Sequence, residues 1–169
     1  MKMVFDSYPS PLGAIHVILD DAGVSGVMMT AEGWEEQKRL AAAQGRELVR
    51  DPQPCREAIR QLEEYFHGGR RSFDLSLAPR GPEFSRQVWQ ALTAIPYGET
   101  RSYVQIAAAV GNPQACRAVG QANRRNPIPI FIPCHRVIGK DGSLTGYIGK
   151  GYIGFKEYLL QMERGFQQG

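Results

Sequence analysis

Cys134, His135 and Arg136 stand on consecutive positions, directly after the apolar segment Asn126-Pro127-Ile128-Pro129-Ile130-Phe131-Ile132-Pro133. The prolines at 127, 129 and 133 fix the backbone there and remove N–H donors. Such stiffness suits a residue that must be held in place. The commonest role of an unbridged cysteine is packing. A polar pair following immediately argues for a reactive thiol instead. The thiolate is the nucleophilic form, and nearby cationic or hydrogen-bonding groups favour it. Adjacent side chains point apart, so His135 is expected to act on Cys134 through a water. A carboxylate would complete a nucleophile–base–orienter set. Glu163 is the first choice, near the end of a helix expected over 155–164 and stopped by Gly165. Asp141 and Glu157 are second choices.

The elements around these residues divide the chain in two. Residues 1–79 carry nine Lys/Arg against twelve Asp/Glu, and residues 80–169 carry eleven against five. The sign changes at a Pro/Gly-rich linker over 77–83. In the first part, apolar alternation and turn residues predict strands at 3–8, 14–19 and 24–29. Helices are expected at 34–43 and 54–66, and a short strand at 73–77. This is an α/β lobe. The second part is mainly helical. Phe84, Val88 and Leu92 mark an amphipathic helix over 84–95. A helix over 103–110, the turn Gly111-Asn112 and a helix over 114–123 with Pro113 in its first turn make a helix-turn-helix pattern. From Arg101 to Lys140 there are six basic residues and no acid. That is the footprint of a polyanion site, or else a solvated face. The small residues Ala115, Ala118 and Ala122 would let the second helix of the pair enter a DNA groove, or pack closely against a neighbour.

Three widely spaced cysteines and three histidines form no disulfide framework and no zinc-ligand spacing, so no metal and no cofactor is expected. No apolar run is long enough for a membrane span, and the first residues lack a secretory h-region. A protein acting as a monomer in the cytoplasm, or in the nucleus of a eukaryote, is expected. Read from these residues alone, a helix-turn-helix regulator and a cysteine hydrolase remain open.

Ile132-Pro133-Cys134-His135-Arg136-Val137-Ile138-Gly139 resembles the active-site signature of the O6-alkylguanine-DNA alkyltransferases, the methylated-DNA–protein-cysteine methyltransferases. Arg117-Ala118-Val119-Gly120-Gln121-Ala122-Asn123 resembles the recognition helix of that family. Ile95-Pro96-Tyr97-Gly98-Glu99-Thr100-Arg101-Ser102-Tyr103 and Thr145-Gly146-Tyr147 with Lys156, Glu157 and Glu163 resemble its flanking segments. The resemblance implies a ribonuclease-H-like fold for residues 1–79 and a DNA-binding and alkyl-transfer domain over 80–169. The implied partner is double-stranded DNA containing O6-alkylguanine, or O4-alkylthymine. The damaged base would be flipped out, and its alkyl group transferred irreversibly to Cys134, one turnover per protein. By the same resemblance, His135 and Glu163 activate Cys134 and Asn126 braces the loop. Tyr103 bonds the flipped base, while Arg117 fills the vacated space in the stack. The expected DNA-binding set is Arg117, Ala118, Ala122, Asn123, Arg124, Arg125 and Arg136. Tyr103, Val137, Tyr147 and Ile148 are expected to line the base pocket. The family places its second helix in the minor groove, where a helix-turn-helix read alone predicts the major groove. The segment from Tyr147 to Lys156 is about two residues longer than in some relatives, which bears on pocket width.

Overall fold

The computed structural model describes residues 2–144 and 152–168. Tyr147, Ile148 and the neighbouring Thr145 and Gly146 therefore lie outside the described residues. The chain forms two compact units, Met1–Pro79 and Arg80–Gly169.

In the first unit, β1 (Met3–Ser10), β2 (Gly13–Asp20) and β3 (Gly23–Met28) form an antiparallel meander. The short β4 (Leu48–Arg50) adds parallel to β1, giving the order β3-β2-β1-β4. Strand alternation sends Tyr8, Ile15 and Val17 to one face, where α2 (Pro52–Phe66) packs and Tyr8 stacks on Phe66. Met3 and Ile18 face the other way, against Ala41 and Trp34 of α1 (Ala31–Ala43). Thr30 caps α1 by accepting the Gly33 N–H, and Asp51 caps α2 from the position before Pro52. The strand expected at 73–77 does not form. Only a bridge from Leu77 to Val24 survives, closed by Val24 N–H to Ser76 O at 2.8 Å. A Cβ on Gly23 would lie 2.3 Å from that Ser76 oxygen, so this approach needs glycine.

The second unit holds α3 (Glu83–Thr93), β5 (Arg101–Ser102), α4 (Tyr103–Ala109), α5 (Cys116–Arg124), a 3-10 turn at Cys134–Arg136, β6 (Val137–Ile138) and α6 (Ile153–Gln168). α4 and α5 form the helix-turn-helix. Ser102 and Gln105 close a capping box at the start of α4. α5 starts two residues later than expected, because Ala115 N–H bonds to Asn112 O at 3.0 Å and keeps Pro113 and Gln114 in the turn. Trp89 of α3 donates its indole N–H to Ala122 O at 2.8 Å, pinning α5 from its buried side. α6 runs through Gly165, which was expected to end it. One interior glycine costs a helix only about 1 kcal/mol, less than the packing of Leu159 and Leu160 returns. Among the described residues no helix is long and apolar enough to cross a membrane.

The segment between α5 and the 3-10 turn is buried almost throughout. Ile130 sits there at φ 74°, a left-handed conformation rare for a β-branched residue, with its side chain fully buried. Asn126 ties the loop from inside. Its Nδ2 donates to Ile132 O at 2.8 Å, and its Oδ1 accepts the Ile128 N–H at 2.9 Å.

Candidate active site

Glu163 is the hub of a buried polar cluster. It lies on the inward stripe of α6 with Lys156, Leu159 and Leu160, at i, i+3, i+4 and i+7 spacing. Its Oε2 meets His135 Nε2 at 2.6 Å and Arg136 NH2 at 3.0 Å, while Oε1 accepts Arg136 Nε at 2.9 Å and Gly98 N–H at 3.1 Å. Gly98 needs its positive φ of 78° to sit in the turn that aims this amide. Arg136 donates once more, to Ile95 O at 2.8 Å, and its guanidinium lies 5.7 Å from the Tyr97 ring centre. The turn 95–98 after α3 is thus the seat of the Arg136–Glu163 pair.

These contacts set the protonation states. Burial alone would raise the Glu163 carboxyl, but His135 and Arg136 together hold it well below the usual carboxylate range. Burial lowers the His135 imidazole, although Glu163 pulls the other way. The two directions agree once Arg136 is counted, because its fork already balances the Glu163 charge and leaves His135 neutral. A neutral His135 donates Nε2–H to Glu163, so Nδ1 carries the lone pair. That Nδ1 is buried and has no hydrogen-bond partner among the described residues. It is an unoccupied base on the residue next to Cys134.

Cys134 is fully buried. Burial pushes its thiol up to about 11, against the pull of the Asn126 side-chain hydrogen bond and the Lys156 charge. The sequence pointed to a depressed pKa from cationic neighbours. Desolvation outweighs them, so the resting group is a thiol and a base is needed. Lys156, also fully buried, is lowered to about 8 by burial, with Cys134 acting the other way. Its ammonium lies 5.8 Å from the ring centre of Tyr103, which is half-buried at the start of α4. β5 pairs with β6, Arg101 with Val137 and Ser102 with Ile138, and so brings the start of α4 beside the exit of the reactive turn. Val137 is buried there. The roles of Lys156, the Ile95 carbonyl and the Gly98 amide in the site were not identified from sequence, although all three fall in segments that carry the resemblance. The signal for Lys156 was a basic residue inside an apolar stripe, seven positions before Glu163.

Both units match known sequence families. Residues 3–79 match the 6-O-methylguanine DNA methyltransferase, ribonuclease-like domain, and residues 83–165 match the 6-O-methylguanine DNA methyltransferase, DNA binding domain. The chain belongs to the 6-O-methylguanine DNA methyltransferase family. A constitutive methylated-DNA–protein-cysteine methyltransferase of Bacillus subtilis is 48% identical over 155 residues, 92% of each chain. A methylated-DNA–protein-cysteine methyltransferase of Methanosarcina barkeri is 47% identical over 161 residues, 95% of this chain and 97% of that one. The crystal structure of Mycobacterium tuberculosis O6-methylguanine methyltransferase superposes with a TM-score of 0.85 at 39% identity, covering 96% of this chain and 93% of that one. That organism's OGT in complex with DNA gives 0.81 at 39% identity, covering 98% and 94%.

The residues expected to face DNA in this family member separate by burial. Arg117, Ala118, Arg124 and Arg125 are exposed on α5 or just after it. Ala122 and Asn123 are buried, because α5 turns that side toward α3 and the reactive turn. Arg136 is buried as well, with its guanidinium taken up by Glu163 and Ile95. This departs from the expectation that Ala122, Asn123 and Arg136 contact DNA: the Ala122 main-chain carbonyl and the Asn123 and Arg136 side chains bond inward instead. Of the six basic residues from Arg101 to Lys140, Arg101 pairs with Glu99 and Arg136 with Glu163. The other four, Arg117, Arg124, Arg125 and Lys140, are exposed.

Proposed function

We propose that this family member repairs DNA by moving the alkyl group of O6-alkylguanine onto Cys134. His135 Nδ1 takes the Cys134 proton through a water, while Glu163 holds the imidazole by its other nitrogen. The sulfur attacks the alkyl carbon, the carbon–O6 bond breaks, and its electron pair leaves with guanine. Tyr103 offers its hydroxyl hydrogen to the departing base. The buried Lys156 charge favours the thiolate that forms. The product is a thioether, which has no labile acyl bond for water to cleave, so each chain acts once. Because Cys134 is buried, the base has to leave the stack and enter the protein, at a cost of a few kcal/mol. Residues 80–169 carry the DNA-binding and transfer functions in this reading. In this reading the protein works where the DNA is, in the cytoplasm or, in a eukaryote, the nucleus.

What supports the reading most directly is a buried thiol followed in the chain by a buried, neutral histidine that Glu163 holds by one nitrogen, leaving the other unbonded among the described residues. The decisive test is mass spectrometry after mixing with alkylated DNA. One permanent alkyl mass on the Cys134 peptide is expected. Turnover of an acyl substrate, or DNA binding with no mass gain, would overturn the proposal.

Two further outcomes follow from the exposed basic residues. With about four phosphates neutralised, log K should fall against log salt with a slope near −3.6. A slope near zero in a salt titration would mean that these residues only meet solvent. Arg117 is proposed to fill the gap that the flipped base leaves. Arg117→Ala should then slow single-turnover repair of duplex DNA at least about tenfold more than repair of a short single strand, where the lesion is already unstacked. Reaction with free O6-benzylguanine should be spared, and Arg117→Leu should recover part of the duplex rate, because apolar side chains also serve as wedges. Equal losses on all three substrates would remove the wedge role.

A further inference from the structure

The buried side of α5 carries one polar side chain, Asn123, which is 1% exposed. Its Nδ2 donates to the main-chain carbonyl of Cys134 at 3.3 Å. That carbonyl also accepts the Val137 N–H that ends the 3-10 turn. An amide nitrogen has to face an acceptor, so the orientation of the Asn123 amide is fixed by chemistry, and Oδ1 is the other end. Oδ1 is buried with no hydrogen-bond partner among the described residues. A packing role needs none of this. Leucine has the same γ-branched skeleton as asparagine, with bulkier ends, and would carry no desolvation cost, which for an unsatisfied amide oxygen is about 1–3 kcal/mol. A buried polar group kept at such a cost, on the element that carries the exposed Arg117, Ala118 and Arg124, has a role beyond filling space.

We propose that Asn123 is a positioning residue for alkyl transfer: its hydrogen bond to the Cys134 carbonyl locks the reactive turn to the helix whose other side meets DNA. The inference rests on the proposed function and deepens it. α5 is held from behind at two points. Trp89 binds the Ala122 carbonyl and fixes the helix to α3, while Asn123 fixes the nucleophile's own main chain to the helix. Asn126 acts on the loop before the nucleophile and on its thiol. Asn123 acts on the carbonyl after it. Removing the Asn123 bond leaves the reactive turn its local hydrogen bonds but frees its orientation relative to the DNA-facing side of α5. A small misplacement of a nucleophile costs far more in rate than in binding.

The test uses the full chain with Asn123→Leu and Asn123→Asp, in single-turnover transfer on duplex DNA carrying O6-methylguanine. For Asn123→Leu, the saturating rate should fall about tenfold or more, with the half-saturating DNA concentration unchanged within about twofold. Asn123→Asp gives a readout that packing cannot mimic. Its carboxyl is isosteric with the amide and donates to the Cys134 carbonyl only when protonated. Burial against a carbonyl raises its pKa. The ratio of its rate to the wild-type rate should therefore climb as pH falls from 8 to 6. Wild-type saturating rates in Asn123→Leu would overturn the proposal, as would a loss matched by the fraction of unfolded protein in the thermal melt. If Asn123→Leu fails to fold, the Asp variant decides, and a ratio flat across pH overturns the proposal. Wild-type protein that transfers no alkyl group would instead overturn the parent reading.

Discussion

Cys134→Ser should show no alkyl transfer in single-turnover assays while binding duplex DNA within about twofold of the wild type. Serine keeps the shape of the site but replaces sulfur with a hard oxygen whose pKa is far higher. Displacement at an unactivated alkyl carbon needs a soft, ionised nucleophile. Binding should survive because Cys134 is fully buried, whereas Arg117, Arg124, Arg125 and Lys140 are exposed. Gel-shift affinity that falls in step with activity would contradict this division. The other two cysteines should be dispensable. Cys55 is buried on α2 and raised to about 11 by burial and by the nearby Asp6 and Asp51 charges. Cys116 opens α5 without a histidine beside it in the chain. An alkyl mass on either of their peptides would sink the assignment of Cys134.

Glu163→Gln should be the next most damaging change. It replaces one of the two acceptor oxygens with an N–H donor, so His135 and the Arg136 fork can no longer both be satisfied, and it leaves Arg136 as a buried cation bonded to Ile95 O. Had the thiolate formed partly unaided, a modest loss would be expected. With burial pushing the Cys134 thiol to about 11, proton removal is a larger share of the barrier. A loss of about 100-fold, the size of a general-base contribution, is therefore expected. Iodoacetamide alkylation followed against pH checks the cause: the midpoint should move up in the variant, and an unchanged midpoint would remove Glu163 from the relay. Stability should fall by about 3–5 kcal/mol, as when one partner of a buried ion pair is removed. The pH dependence has a definite sign. The folded-state pKa of Glu163 is depressed. Its contribution is therefore complete above the unfolded value, roughly 4.3, and is lost as pH falls toward the folded one. Thermal melts should converge for wild type and variant in strong acid and diverge near neutrality.

The sequence made the two-unit character visible through the charge reversal and the Pro/Gly linker. The His135–Glu163 pairing followed from asking which carboxylate could orient a base. What it hid has physical reasons. Arg136 carries the same charge as Arg117, and charge alone does not say whether a partner neutralises it. Here the partner comes from a helix 27 residues away in the chain. β4 is three residues long, too short for alternation to register, and exists because β1 offers it an edge. Phe73, Leu75 and Leu77 alternate like a strand, yet only Leu77 finds a neighbour to pair with. Asn123 looked like one more polar residue on a basic helix. Only the packing direction of α5 shows that it points at the nucleophile's main chain.

Ile130 sets its local preference against its surroundings. Its backbone conformation costs about 1–3 kcal/mol, which glycine would avoid, while its side chain fills buried space that glycine would leave empty. No single residue type satisfies both, so the loop into Cys134 cannot form by local propensity and has to be imposed by a core already closed around it. The reactive turn therefore depends on that core for its own order. In the unfolded chain Cys134 is an ordinary exposed thiol, open to any oxidant or electrophile. Folding converts a generally vulnerable sulfur into one that a reagent can reach only by entering the protein.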